Sequence, residues 1–150
     1  MINSGIGFEG KIEYILFDED GNIKDEGVIK NQVQNLLMEE VINAIDTGTM
    51  PALAGMAVGT YSGSDIGVAS DHLHSKVSDE DITGGQTQPT AYSLQNVGTF
   101  TSITGTIVEA GLFDAAGCAD DMYCYDDSLN VVMTSSDSLQ ITWTISVTST

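Results

Sequence analysis

Most of the reactive groups in this chain are carboxylates. There are 22 acidic residues against four lysines and no arginine, and the formal net charge is −18. The densest acidic run is Asp18-Glu19-Asp20-Gly21-Asn22-Ile23-Lys24-Asp25-Glu26, which invites comparison with a calcium loop. An EF-hand loop needs oxygen ligands at its first, third and fifth positions, glycine at the sixth and glutamate at the twelfth. Counted from Asp18, the sixth residue is Ile23 and the twelfth is Ile29, so the run reads as a hairpin turn in which Gly21 accepts positive φ. The pairs Asp120-Asp121 and Asp126-Asp127, which bracket Met122-Tyr123-Cys124-Tyr125, are the candidate metal ligands. Paired carboxylates can hold a hard cation between neighbouring chains, but no ligand spacing here is diagnostic. The expectation is a solvated acidic loop and no cofactor.

Softer ligands are few. His72 and His74 would share one face of a strand, and Cys118 and Cys124 bring the possible zinc donors to four. His-x-His and Cys-x5-Cys match none of the common structural zinc spacings. The two cysteines could instead close a short disulfide loop or stay as two small buried hydrophobes. For nucleophilic catalysis there is no Gly-x-Ser-x-Gly elbow, no His-Glu-x-x-His helix and no phosphate-cradling Gly-x-x-x-x-Gly-Lys loop. Glu109 lies in an apolar stretch, where a hydrogen-bonded carboxylate is a commoner fate than a general acid. No catalytic residues are expected, and the chain does not read as an enzyme.

The elements that would position these groups are mainly strands. Residues 11–29 read as an N-terminal hairpin whose return strand is weakened by Asp25 and Gly27. One helix is expected at about 32–46, because Val33, Leu36, Leu37, Val41, Ala44 and Ile45 recur at three- and four-residue spacing. Asn31 is its expected N-cap, and Gly48 followed by Pro51 marks its exit. Strands are expected from residue 52 onward. Ala52–Thr60 is an apolar strand broken by glycines, Asp71–Val77 a short strand or helical turn, and 78–90 a polar loop. Residues 91–113 carry a strong β signal and are followed by a Gly/Asp-rich loop. In the last strand Leu139, Ile141, Trp143, Ile145 and Val147 share one face, with Thr142, Thr144 and Ser146 on the other. Such strands with turns between them argue for an antiparallel β-sandwich with one amphipathic helix packed on or beside it, in a single domain over residues 1–150.

The charge balance narrows the partners. Four scattered lysines build no basic patch, so neither nucleic acid nor anionic lipid is an expected partner. No apolar run approaches the roughly 20 residues of a membrane span, and the N-terminus lacks a basic region followed by an apolar stretch. Aspartate outnumbers glutamate 14 to 8. With basic residues nearly absent, this resembles the acidic surfaces of halophilic proteins, whose self-repulsion disappears in molar salt, where the Debye length is about 3 Å.

Three ordered segments carry a resemblance. The first runs from the helix Asn35-Leu36-Leu37 to Ile45 and on to Gly55-Met56-Ala57-Val58-Gly59-Thr60. The second is Ile103 to Asp114, with Glu109-Ala110-Gly111-Leu112-Phe113 at its heart. The third is Met133 to Ile145, containing Asp137-Ser138-Leu139-Gln140-Ile141-Thr142-Trp143-Thr144. In order and spacing they resemble a family of small structural proteins of tailed bacteriophages and archaeal tailed viruses, over residues of about 33 to 148. The resemblance implies a β-rich virion component of the head-surface, tail-fibre or baseplate kind, with no active site. Relatives tend to carry an arginine after the Glu-Ala-Gly-Leu-Phe turn, where this chain has Met122-Tyr123-Cys124-Tyr125-Asp126.

Small size, with no stalk and no repeat, favours a capsid-surface decoration or turret subunit bound to the major capsid protein. A tail-tip, baseplate or fibre-adaptor protein bound to tail proteins is the alternative. Either implies a virion location after assembly in the host cytoplasm, and a closed homo-oligomer. A carbohydrate-binding sandwich is a third reading, disfavoured by an aromatic content of 7% and by a single, core-facing tryptophan, Trp143.

Overall fold

A computed structural model describes residues 6–49, 53–61, 71–119 and 121–149. The chain opens with the expected hairpin, longer than its sequence signal. Strands β1 (Ile6–Phe17) and β2 (Ile23–Val33) are joined by a turn in which the Asp18 side chain accepts hydrogen bonds from the backbone N–H groups of Asp20 (3.0 Å) and Asn22 (2.9 Å). Gly21 sits at φ 81°, the left-handed conformation that the Asp-Gly step predicts. Gly27 faces Tyr14 across the hairpin, where any Cβ would collide with the phenol ring.

Helix α1 (Asn35–Thr47) follows and ends at Gly48 in the left-handed conformation. Two helix expectations change. The N-cap is Gln34, without a side-chain capping bond, whereas Asn31 lies within β2 and accepts a 2.9 Å hydrogen bond from the Trp143 indole. The apolar stripe is also only partly covered: Leu37 and Ala44 are buried, but Ile45 is 78% exposed. The helix finds its principal contact on one strand, β9, rather than across a whole sheet face.

The remaining strands are β3 (Gly55–Gly59), β4 (Lys76–Asp81), β5 (Thr87–Thr90), β6 (Ser93–Thr101), β7 (Gly105–Ile107), β8 (Glu109–Phe113), β9 (Met122–Asp126), β10 (Val131–Met133) and β11 (Ser138–Ser149). Of the eleven strands among the described residues, nine form one antiparallel ribbon in the order β4-β3-β8-β9-β2-β1-β11-β6-β5, and β10 pairs with β7 separately. β2 makes the fold. Its first part pairs with β1 and its end, at residues 32 and 33, pairs with β9, so the ribbon turns back and one half covers the other. Met56 of β3 packs over Gly98 of β6 across the interior. The molecule is therefore a mainly β, antiparallel sandwich with one helix beside it.

The core follows the alternation expected for β11. Leu139, Ile141, Trp143 and Ile145 point inward with Ile12, Leu16, Phe100 and Leu112, while Val147 emerges at 41% exposure. Two expected loops are strands. Residues 78–90 contain most of β4 and all of β5, polar because they are the two edges of the ribbon; Pro89 is tolerated at such an edge. The Gly/Asp-rich stretch contains β9, all five residues of which are buried. Of the expected 71–77 element only Lys76 and Val77 are strand, and Ala52 and Pro51 lie outside the described residues.

Candidate interaction surface

Several of the acidic groups are engaged within the fold. Asp126 is buried, and its two oxygens accept bonds from the Ser128 N–H (3.0 Å) and hydroxyl (2.9 Å). Burial pushes its carboxyl above the ordinary range, opposed by those Ser128 bonds. Asp121 is exposed at φ 56°, Asp127 is half-buried, and Asp120 lies outside the described residues. The solvated loop expected around these pairs is thus corrected: its centre is a buried strand, and one carboxylate caps that strand's end. Among the described residues no group of three or more His, Cys, Asp and Glu side chains converges as a metal site.

The cysteines do not meet either. Both are free and buried in different clusters, Cys124 with the main core and Cys118 with Ala57, Leu73, Phe113, Met122 and Tyr125. The possible Cys118–Cys124 disulfide is therefore not formed. Burial pushes both thiols up to about 12, with Asp79 adding to the effect at Cys118. The His72 ring contacts the Asp71 carboxylate at 2.6 Å, and the His74 ring packs on Tyr61 with 4.2 Å between centroids.

Glu109 is fully buried and serves as an anchor. Its Oε1 accepts the Ser75 N–H at 2.6 Å, and its Oε2 accepts the His74 N–H at 3.1 Å and the Tyr125 hydroxyl at 3.3 Å. It lies opposite Gly59 in the β3–β8 register, and a Cβ there would collide with the carboxylate. Glycine and glutamate are thus needed together to fasten the approach to β4. Asp137 plays a similar part at the opposite turn. Almost fully buried, it accepts Lys24 Nζ (2.7 Å) and the Thr134 N–H (2.7 Å), which hold its carboxyl below the usual range.

What remains unspent is apolar surface. Between α1, the β5–β6 hairpin and the ends of β1 and β11 lies an open groove of about 610 Å³. Leu37 and Val41 of α1, Leu94 of β6, Phe8 of β1, and Ile145 and Val147 of β11 line it. Tyr92, at the hairpin tip, is 73% exposed and stands on its rim. The adjoining helix surface leaves Met38, Ile42 and Ile45 in solvent. Scattered apolar residues are normal on a surface, whereas a large contiguous set is the usual form of a contact site. The sequence held one usable signal for it, an aromatic residue in a turn, but periodicity assigned the helix stripe to the core.

No family model, curated protein or solved structure matches this chain. Among the described residues no helix is long and apolar enough to cross a membrane.

Proposed function

We propose that this chain is a non-enzymatic structural protein of a tailed-virus particle, a decoration or turret subunit seated on the capsid surface. The observation that carries the assembly role is the apolar groove and helix face at one end of an otherwise acidic sandwich. The virion assignment rests on the resemblance of the three ordered segments. In support, the strand parts of the first two segments pair as β3 and β8, and most of the third forms β11, whose Leu139, Ile141 and Trp143 are buried. Trp143 is fully buried and offers no stacking face to a sugar, which weighs against the carbohydrate-binding reading.

Immunogold labelling of purified particles against this chain tests the assignment. Label distributed over the head is the expected result. Label confined to the tail tip would replace the capsid role with the baseplate or fibre-adaptor role, and particles free of label would overturn the virion reading. Light scattering on the purified chain at low and molar salt tests the expected closed oligomer, which a monomer at every salt concentration would refute.

A further inference from the structure

We propose that the groove beside α1 receives an apolar peptide segment of a partner protein that carries lysine or arginine on both sides of the segment. The proposal rests on the assembly reading for the identity of the partner as another particle protein, and on the groove itself for the chemistry.

The first argument is the distribution of charge. None of the fourteen residues lining the groove is charged, on a chain whose net charge is −18. An apolar segment can enter without stripping water from an ion, a step that is strongly unfavourable when the ion is left unpaired. The volume, about 610 Å³, falls within the roughly 300–1,000 Å³ of sites that enclose most of a bound ligand.

The rim supplies the second argument. On the hairpin side, the lining residue Thr83 donates its N–H (2.9 Å) and hydroxyl (2.6 Å) to the carboxylate of Asp81. On the helix side, Glu40 of α1 adjoins the lining residue Val41 and stands one turn from the lining residue Leu37. Carboxylates thus stand next to lining residues on two sides of an uncharged groove, complementary to an apolar segment with basic flanks.

The third argument separates a different protein from a second copy. Lys11, Lys24 and Lys76 are already bound to Glu13, Asp137 and Asp79, and arginine is absent. A second copy would bring acidic residues against this acidic rim with almost no base to bridge them, whereas a basic-flanked partner neutralises it.

The test uses the full chain and three short fluorescent peptides sharing one Leu-Val-Leu-Val core, flanked by lysines, glutamines or glutamates, read by fluorescence anisotropy. At low salt the lysine peptide should bind several-fold more tightly than the glutamine peptide, through two exposed charge contacts. The glutamate peptide should bind most weakly, and molar salt should bring the three together. Glu40→Gln combined with Asp81→Asn should abolish the preference while leaving the glutamine peptide's affinity unchanged. Tyr92→Glu should weaken the glutamine peptide several-fold, whereas Ile23→Glu, at an exposed apolar position of the hairpin turn, should not.

Equal affinity for all three peptides at low salt, or no binding of any, overturns the proposal. So does self-association that Tyr92→Glu abolishes while the peptides fail to bind, which would make the groove a contact between copies. Failed peptide binding with label present on particles sinks this inference alone. Bound lysine peptide with unlabelled particles keeps the groove and discards the virion.

Discussion

Replacing Glu109 by glutamine removes almost no volume but changes what the site can accept. In the parent, three donors converge on the two oxygens: the Ser75 N–H at 2.6 Å, the His74 N–H at 3.1 Å and the Tyr125 hydroxyl at 3.3 Å. Glutamine keeps one oxygen and turns an NH2 toward at least one of those donors, so a buried N–H or O–H loses its acceptor and faces another donor. A buried donor left unsatisfied costs about 1–3 kcal/mol, and bonds to a charged acceptor lie near the top of that range. The expected loss is about 2–4 kcal/mol, with one partner fully orphaned and a second weakened. For a domain of this length that corresponds to a fall in Tm of roughly 5–15 °C. Urea unfolding followed by Trp143 fluorescence gives the free energy. Amide exchange at His74 and Ser75 gives its location, because those two N–H groups should lose protection before the β11 core does. A stability change below about 0.5 kcal/mol, the scale of an ordinary surface substitution, would refute the anchoring role. Unchanged protection at His74 and Ser75 would do the same whatever the global stability.

Three further outcomes follow from the same structure. Because Lys24 and the Thr134 N–H hold the folded-state carboxyl of Asp137 below its unfolded value, its contribution is present above the ordinary carboxylate range and lost as pH falls through the folded value. The Tm gap between the parent and Asp137→Asn should therefore be widest near neutral pH and close in acid; a constant gap would refute it. Both thiols, buried and pushed up to about 12, should resist an aromatic disulfide reagent at pH 8 until the chain unfolds, and a reductant should leave Tm unchanged. Asn31→Ala should cost about 1–3 kcal/mol by orphaning the Trp143 indole. It should shift tryptophan emission while leaving helix content intact, whereas a true N-cap would lose helix signal.

Legibility in the sequence tracked how each strand meets solvent. β11 has one buried and one half-exposed face, so its side chains alternate and its inward set could be named residue by residue. The β1–β2 turn was legible because Asp-Gly has few other uses between two apolar runs. β9 was not legible, since a strand covered on both faces has no alternation, and Met-Tyr-Cys-Tyr between pairs of aspartates looks like loop. β4 and β5 were hidden for the opposite reason, being edge strands whose polar side chains face water. The helix was placed within a few residues, yet its stripe was overread, because periodicity reports which residues share a face and not whether another element arrives to cover it.

The sequence by itself determined that this is a strongly acidic, mainly β domain with one helix, short of basic residues for pairing, because composition and period are local properties. Only the tertiary structure decided which polar groups are consumed and which surface is left over. Glu109 finds two of its three donors 34 and 35 residues away in the chain, and Asp137 finds Lys24 at a separation of 113. The groove exists because β2 bends from one half of the sandwich to the other and sets α1 against β9, leaving the end of the opposite half uncovered. Contacts of that reach depend on how the whole chain closes, which no window of neighbouring residues encodes.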